Sequence, residues 1–151
     1  MALEHTAATV LARYLISNGI VKLPPAIPWP AYVNFMAETP NEAIAVVDTL
    51  GEMKGREMRG GKVLEKPGIN IQIRAMTNPI GTNFGLKLCN VLEALNQATV
   101  VVPAGGGIVT KTYLVSLFQR TSPVYPLGQE EGGSRFLYSL NGLLTYSEVL
   151  P

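Results

Sequence analysis

"DTLGEMKGREMRGGKVLEKPGINIQIRA", residues 48–75, decides how this chain is read. It begins at the end of an apolar run and passes through a glycine- and charge-rich connection. It ends in a strict alternation, Ile69, Ile71 and Ile73 against Asn70, Gln72 and Arg74. A period of two marks a half-buried strand. The preceding "EAIAVVDT", 42–49, also reads as a strand, over about 43–48. The connection between them, 49–62, sits at the limit of roughly 12–15 residues beyond which loops in compact domains are usually functional or disordered. A catalytic loop, a phosphate cradle and a docking arm are the readings to weigh.

Upstream, residues 2–18 read as an amphipathic helix. Leu3, Ala7, Val10, Leu11, Tyr14 and Leu15 fall on one face, and Asn18-Gly19 supplies a stop. "LPPAIPWP", 23–30, has four prolines in eight residues, which forbids a helix and extends the chain. "AYVNFMAE" reads as a strand over about 31–37, and "TPNE" as the turn leading to the next.

Downstream, "TNPIGTNFGLKLCNVLEALNQA" reads as a second helix. Asn78 before Pro79 is the expected N-cap, with Thr82 an alternative start because Gly81 and Gly85 weaken the first turn. Phe84, Leu88, Val91, Leu92 and Leu95 form its apolar face, and Cys89 beside them is expected to act as a small core residue. A short strand near 99–102, a glycine turn and a long strand over about 108–120 follow. The connection 121–134 is the second long one. The last strand carries Phe136, Tyr138, Leu140, Leu144 and Tyr146 on one face. Strands outnumber helices and do not alternate with them one for one. The expected fold is therefore α+β, a single domain over 1–151 with two main helices packed on a mixed, mainly antiparallel sheet with long inter-strand loops.

Composition narrows the function. Charged residues are only 15% of the chain and hydrophobic ones 47%, against roughly 25% charged in an average soluble domain. Either a compact core sits under a glycine- and proline-rich surface, or part of the surface is buried against other subunits. A net charge of +1 gives no long-range pull toward nucleic acid or an anionic membrane. No apolar run approaches the roughly 18 residues of a membrane span, and the N-terminus is not expected to be a signal peptide. One cysteine excludes an intrachain disulfide and fits synthesis in a reducing cytoplasm.

The chemical readings fail on spacing. In the phosphate-loop pattern Gly61-Lys62 would need a serine or threonine next and a glycine at 56, but Val63 and Arg56 stand there. Gly105-Gly106-Gly107 leads into a strand, not a helix N-terminus. The lone His5 reads as part of a solvated helix start. One histidine and one cysteine make neither a nucleophile–base pair nor a metal cluster. Glu130-Glu131 reads as a solvated turn. No catalytic, metal or cofactor residue is expected. Lys54, Arg56, Arg59, Lys62 and Lys66 alternate with Glu52, Glu57 and Glu65, without interleaved aromatics for base stacking. That leaves a solvated loop or a docking arm with mixed ion pairs.

The segment 44–75 resembles one typical of the phage minor capsid family that supplies tail-completion, or tail-terminator, proteins of long-tailed bacteriophages. A strand ends in Asp48-Thr49, a Gly-rich arm carries Arg and Met, Glu65 to Gly68 form Glu-x-Pro-Gly, and an alternating strand ends in Arg74. "WPAYVNFMAETPNEAI", 29–44, and "PLGQEEGGSRFLYSLNGLLTY", 126–146, are similar to the same family. The resemblance implies a structural virion protein and not an enzyme, with no cofactor. Such a protein forms a homo-oligomeric ring, commonly a hexamer, at the head–tail junction and is assembled in the host cytoplasm. Its partners would be copies of itself, the tail tube protein and a head-completion protein. DNA would pass through the lumen without sequence-specific binding. Met53, Lys54, Arg56, Met58, Arg59 and Lys62 are the expected interface residues. A head-completion or connector protein of the same neck, a small carboxylate-dependent enzyme and a monomeric ligand-binding domain are the alternatives.

Overall fold

A computed structural model describes the backbone of residues 5–56, 63–130 and 133–149, and side chains throughout these except at 51–56 and 63–66. The element order is α1 (Ala7–Ser17), β1 (Ala31–Val33), β2 (Ala43–Arg56), β3 (Val63–Ala75), α2 (Asn78–Glu93), β4 (Ala98–Val102), β5 (Lys111–Arg120), β6 (Tyr125–Gln129) and β7 (Phe136–Glu148). The fold is α+β, with two helices on a seven-stranded mixed sheet. The sheet order is β1-β2-β3-β7-β5-β4. Only the β1–β2 pair is parallel.

Both helices contribute to one hydrophobic cluster on one face of the sheet. Ile44, Val46, Ile69, Ile71, Ile73, Tyr113, Val115, Leu140 and Leu144 point into it, all with no accessible surface. The helix α1 touches β1, β2 and β3 at one side of the sheet and also β4 at the opposite margin. The sheet must therefore curl around this helix.

Local chemistry explains the helix ends. Thr6 caps α1, its hydroxyl accepting from the Thr9 N–H at 3.4 Å. The Asp48 carboxylate accepts from the Ala8 N–H at 2.9 Å, so a strand residue satisfies a second free donor of the first turn. At the C-terminus Gly19 takes φ +72°, Gly19 N–H bonds the Ile16 carbonyl and Ile20 N–H bonds that of Leu15, a Schellman closure. Thr77, not Asn78, caps α2, because its extended backbone lets the hydroxyl accept from Ile80 N–H. The Asn78 side chain instead accepts the Tyr138 hydroxyl proton.

Several expected boundaries move. The strand expected over 31–37 stops at Val33 because Asn34 turns to φ +63° and uses its side chain on Asp48, accepting from its N–H at 2.8 Å and donating to its carboxylate at 3.0 Å. The start expected at 108 moves to Lys111 because Gly106 and Gly107, both at positive φ, make a two-residue turn closed by paired Gly105–Ile108 backbone bonds. The connection expected over 121–134 holds β6. This strand pairs with residues 136–139 of β7, on the edge that β5 occupies from Gly142 onward. β5 and β6 are thus successive pieces along one margin of β7, broken at 121–124, where Thr121 N–H bonds the Asn141 carbonyl.

Candidate assembly surface

Of the segment 49–62, expected to be a connection, residues 49–56 continue β2 and pair with 63–68 of β3; 57–62 lie outside the described residues. β2 continues to Arg56 and β3 begins at Val63, with Thr49 opposite Gly68, Glu52 opposite Lys66 and Arg56 opposite Val63. Two register shifts on β2, between Thr49 and Glu52 and between Met53 and Gly55, are bulges, which add twist and bend. Gly68 sits at the first of them. A Cβ there would strike the Leu50 carbonyl, so only glycine lets the strands cross so closely. β7 pairs with β3 only from Gly68 to Ala75, and β1 with β2 only at 44–46. Beyond Thr49 and Gly68 the pair is a two-stranded ribbon with no third strand among the described residues. At its root Leu50 is 98% exposed.

Of the expected interface residues, Met53, Lys54 and Arg56 lie on this ribbon, Met53 opposite Glu65 and Lys54 in the second bulge. Met58, Arg59 and Lys62 lie outside the described residues.

The sheet face turned away from the helices is the second feature. Register places Tyr32, Val47, Asn70, Gln72, Ser139, Asn141, Leu143, Thr145, Leu117, Leu114, Thr112, Thr99 and Val101 on it. Among its described residues the only charged side chain is Arg74. Its middle is a polar row. The Asn70 amide donates to Ser139 Oγ at 2.6 Å and to Asn141 Oδ1 at 2.8 Å, and the Asn141 amide reaches Tyr125 Oη at 3.4 Å. Toward β4 it becomes apolar, with Val101 53% and Leu117 48% exposed.

Arg74 does not present its charge outward. It is 2% exposed and donates to the carbonyls of Pro40 at 2.5 Å and Asn41 at 3.3 Å. Arg135 donates to the Glu38 carbonyl at 2.5 Å and pairs with Glu130 at 2.7 Å. The two arginines pin the β1–β2 crossover, 34–42, over this end of the sheet, which is why Ala43 and Ala45 are fully buried though they face away from the helices. Burial lowers the Arg74 pKa below its ordinary value, and Arg135 lowers it further. Glu130, in the turn expected to be solvated, is thus a paired residue; Glu131 lies outside the described residues.

His5 corrects the sequence reading. It is 9% exposed rather than solvated. Its Nδ1 lies 2.7 Å from Tyr113 Oη, its backbone N–H donates to the same oxygen at 3.2 Å, and the Tyr146 hydroxyl donates to its carbonyl at 2.8 Å. Tyr113 in the core and the partly buried Tyr146 together fasten the start of α1. Cys89 is buried on α2 as expected. Burial raises its pKa, opposed by Arg120, whose Nη1 lies 3.4 Å from Sγ while Nη2 pairs with Glu93 at 2.8 Å.

A shallow groove of about 250 Å³ lies between α2 and β6, lined by Asn78, Thr82, Leu86, Val124, Pro126 and Tyr138. It holds neither carboxylate nor imidazole. No group of acidic, histidine or cysteine side chains suited to a metal occurs among the described residues, and no helix there is long and apolar enough to cross a membrane. Exposed apolar side chains stand at the ribbon's root, Leu50, and on the outer sheet face, Val101 and Leu117. The chain matches no protein-family model, and no curated protein matches it.

Proposed function

We propose that this chain is a virion structural protein of a long-tailed phage that assembles with copies of itself into a ring at the head-proximal end of the tail tube. The ring stops tube polymerisation and joins tail to head. One observation carries the reading: the β2–β3 ribbon reaches past its own sheet in the segment that bears the tail-terminator resemblance. A two-stranded ribbon is marginal in water and gains by lying on a neighbour. The outer face adds support: its one described charge, Arg74, is buried under the 34–42 crossover, and a surface that exposes no charge is cheap to desolvate against another protein.

The mechanism follows from shape. A heterologous interface that closes leaves no free ends, so modest pairwise contacts become a stable ring, expected to be a hexamer. One face of the ring matches the last tube ring, and the opposite face does not repeat that surface, so the next tube subunit finds no template. Met53, Met58 and the arginines 56 and 59 are proposed as the ribbon's adaptable apolar and bidentate contacts. DNA passes the lumen by size, without base readout.

The test is to add the purified chain to polymerising tube protein of its own phage and image the products. Tubes capped at one end and arrested in length are expected, with capping lost when residues 52–61 are deleted. Tubes that grow unarrested and carry no bound chain would refute the proposal. Binding to the head connector alone would move the chain to a head-completion role.

A further inference from the structure

We infer that the outer edge of β4 is a strand-docking site, and that its occupant is the β3 side of the ribbon, residues 63–66, of a second copy of this chain. The inference rests on the assembly reading above and specifies its contact.

The two ends of the β1-β2-β3-β7-β5-β4 order differ, and the outer edge of β6, off that order, is guarded by Pro126 and Gly128. At β1 the margin is three residues long and preceded by Pro30. Lys22 crosses it, donating to the Trp29 carbonyl and accepting from the Ala31 N–H. At β4 the margin is five residues, Ala98–Val102, without charge, proline or glycine. Natural edge strands are normally protected by just such residues, or by a bulge or a covering loop. Register identifies which backbone groups are open. Val149 N–H donates to the Thr112 carbonyl at 2.8 Å, so Thr112 directs its N–H and carbonyl toward β7. Its partner across the β4–β5 ladder, Val101, and by the period of two Thr99, then direct theirs away from β5. Both side chains are exposed. Water solvates such a row in the free chain, and another extended backbone replaces it with a continuous ladder.

The ribbon supplies one. β3 leaves β7 at Gly68, so the edge of 63–66 away from β2 has no strand beside it among the described residues. The other ribbon edge is a poorer donor, because both bulges lie on β2. Pairing β4 with a second β4 would leave every ribbon edge open. Pairing β4 with the ribbon satisfies the β4 edge and the β3 side of the ribbon in each copy and propagates head to tail, as a ring requires.

The experiment uses the full chain. Exchange of backbone amides is followed by mass spectrometry across a concentration series, beside sedimentation. Self-association is expected to slow exchange by ~tenfold or more in peptides covering 98–102 and 63–66 together. Val101→Pro removes an outward N–H without breaking the β4–β5 ladder. Val101→Lys keeps the N–H and charges the edge. Both are expected to hold the wild-type circular dichroism and to remain monomeric. A Thr99→Cys chain mixed with Leu64→Cys, Glu65→Cys or Lys66→Cys chains is expected to form mixed disulfide dimers in at least one pairing, and neither partner to link with itself. Unchanged amides at 98–102 at every concentration, wild-type association by both Val101 variants, or Thr99→Cys chains linking to one another would overturn the inference. Tube capping that persists through such a result would leave the proposed function standing; loss of capping with the strand contact intact would remove the function alone.

Discussion

The Trp29 ring lies flat on that of Phe84, with centroids 3.8 Å apart and planes 10° from parallel. Trp29 lies near the end of the proline-rich segment and Phe84 sits on the buried face of α2, so the stack ties the chain after α1 to the other helix. Trp29 is partly buried against the core. Trp29→Ala is expected to cost about 2–3 kcal/mol, below the range for a fully buried tryptophan. Because it is the sole tryptophan, urea unfolding must be followed by circular dichroism rather than fluorescence.

Arg74 and the crossover it pins give a second prediction. Arg74→Met keeps the length of the side chain and removes its donors, so the part-buried bonds to the carbonyls of Pro40 and Asn41 are lost. Destabilisation of about 2–3 kcal/mol is expected. Amide exchange should quicken first in 34–42, and Arg74→Lys should recover only part of the loss, since one ammonium does not match the fork.

Asp48 couples β2 to the first turn of α1. Asp48→Ala removes the acceptor for the Ala8 N–H and for the Asn34 amide, and is expected to cost about 1.5–3 kcal/mol. The loss should appear as earlier melting of α1, measured by exchange at residues 8–12. Asp48→Asn can still accept one bond and should fall between wild type and the alanine variant.

The alternation at Ile69, Ile71 and Ile73 and the helix faces were readable because period and burial are local consequences of sequence, and all three isoleucines are fully buried. The ribbon was not readable as strand. Its glycines and charges have the composition of a loop, and what makes it a strand is the pairing of 49–56 with 63–68, with two bulges that break the alternation. β6 was hidden in the same way by Pro126 and by Gly128 at φ +98°. His5 was misread because its partner Tyr113 stands 108 residues away, and nothing local to a lone histidine reports burial. The open edge of β4 depends on which strand lies beside which, a property of sheet order that no single segment carries.

Cys89 gives the pH prediction. Burial holds its thiol above the ordinary value of 9.0, so the native state keeps its proton where the unfolded chain begins to lose it. The unfolded state then binds fewer protons than the native one, and stability falls as pH rises. The contribution is fully present below the unfolded value and is lost upward from about pH 9, through the raised native value. Other groups titrate in that range, so the check is differential. Urea midpoints of wild type and Cys89→Ala are compared at pH 8 and pH 10, and the alanine variant is expected to lose less stability between them. Equal losses would mean that Arg120, 3.4 Å from the sulfur, offsets the burial in full. Thiol alkylation at pH 8 should accordingly be slow until urea opens the core.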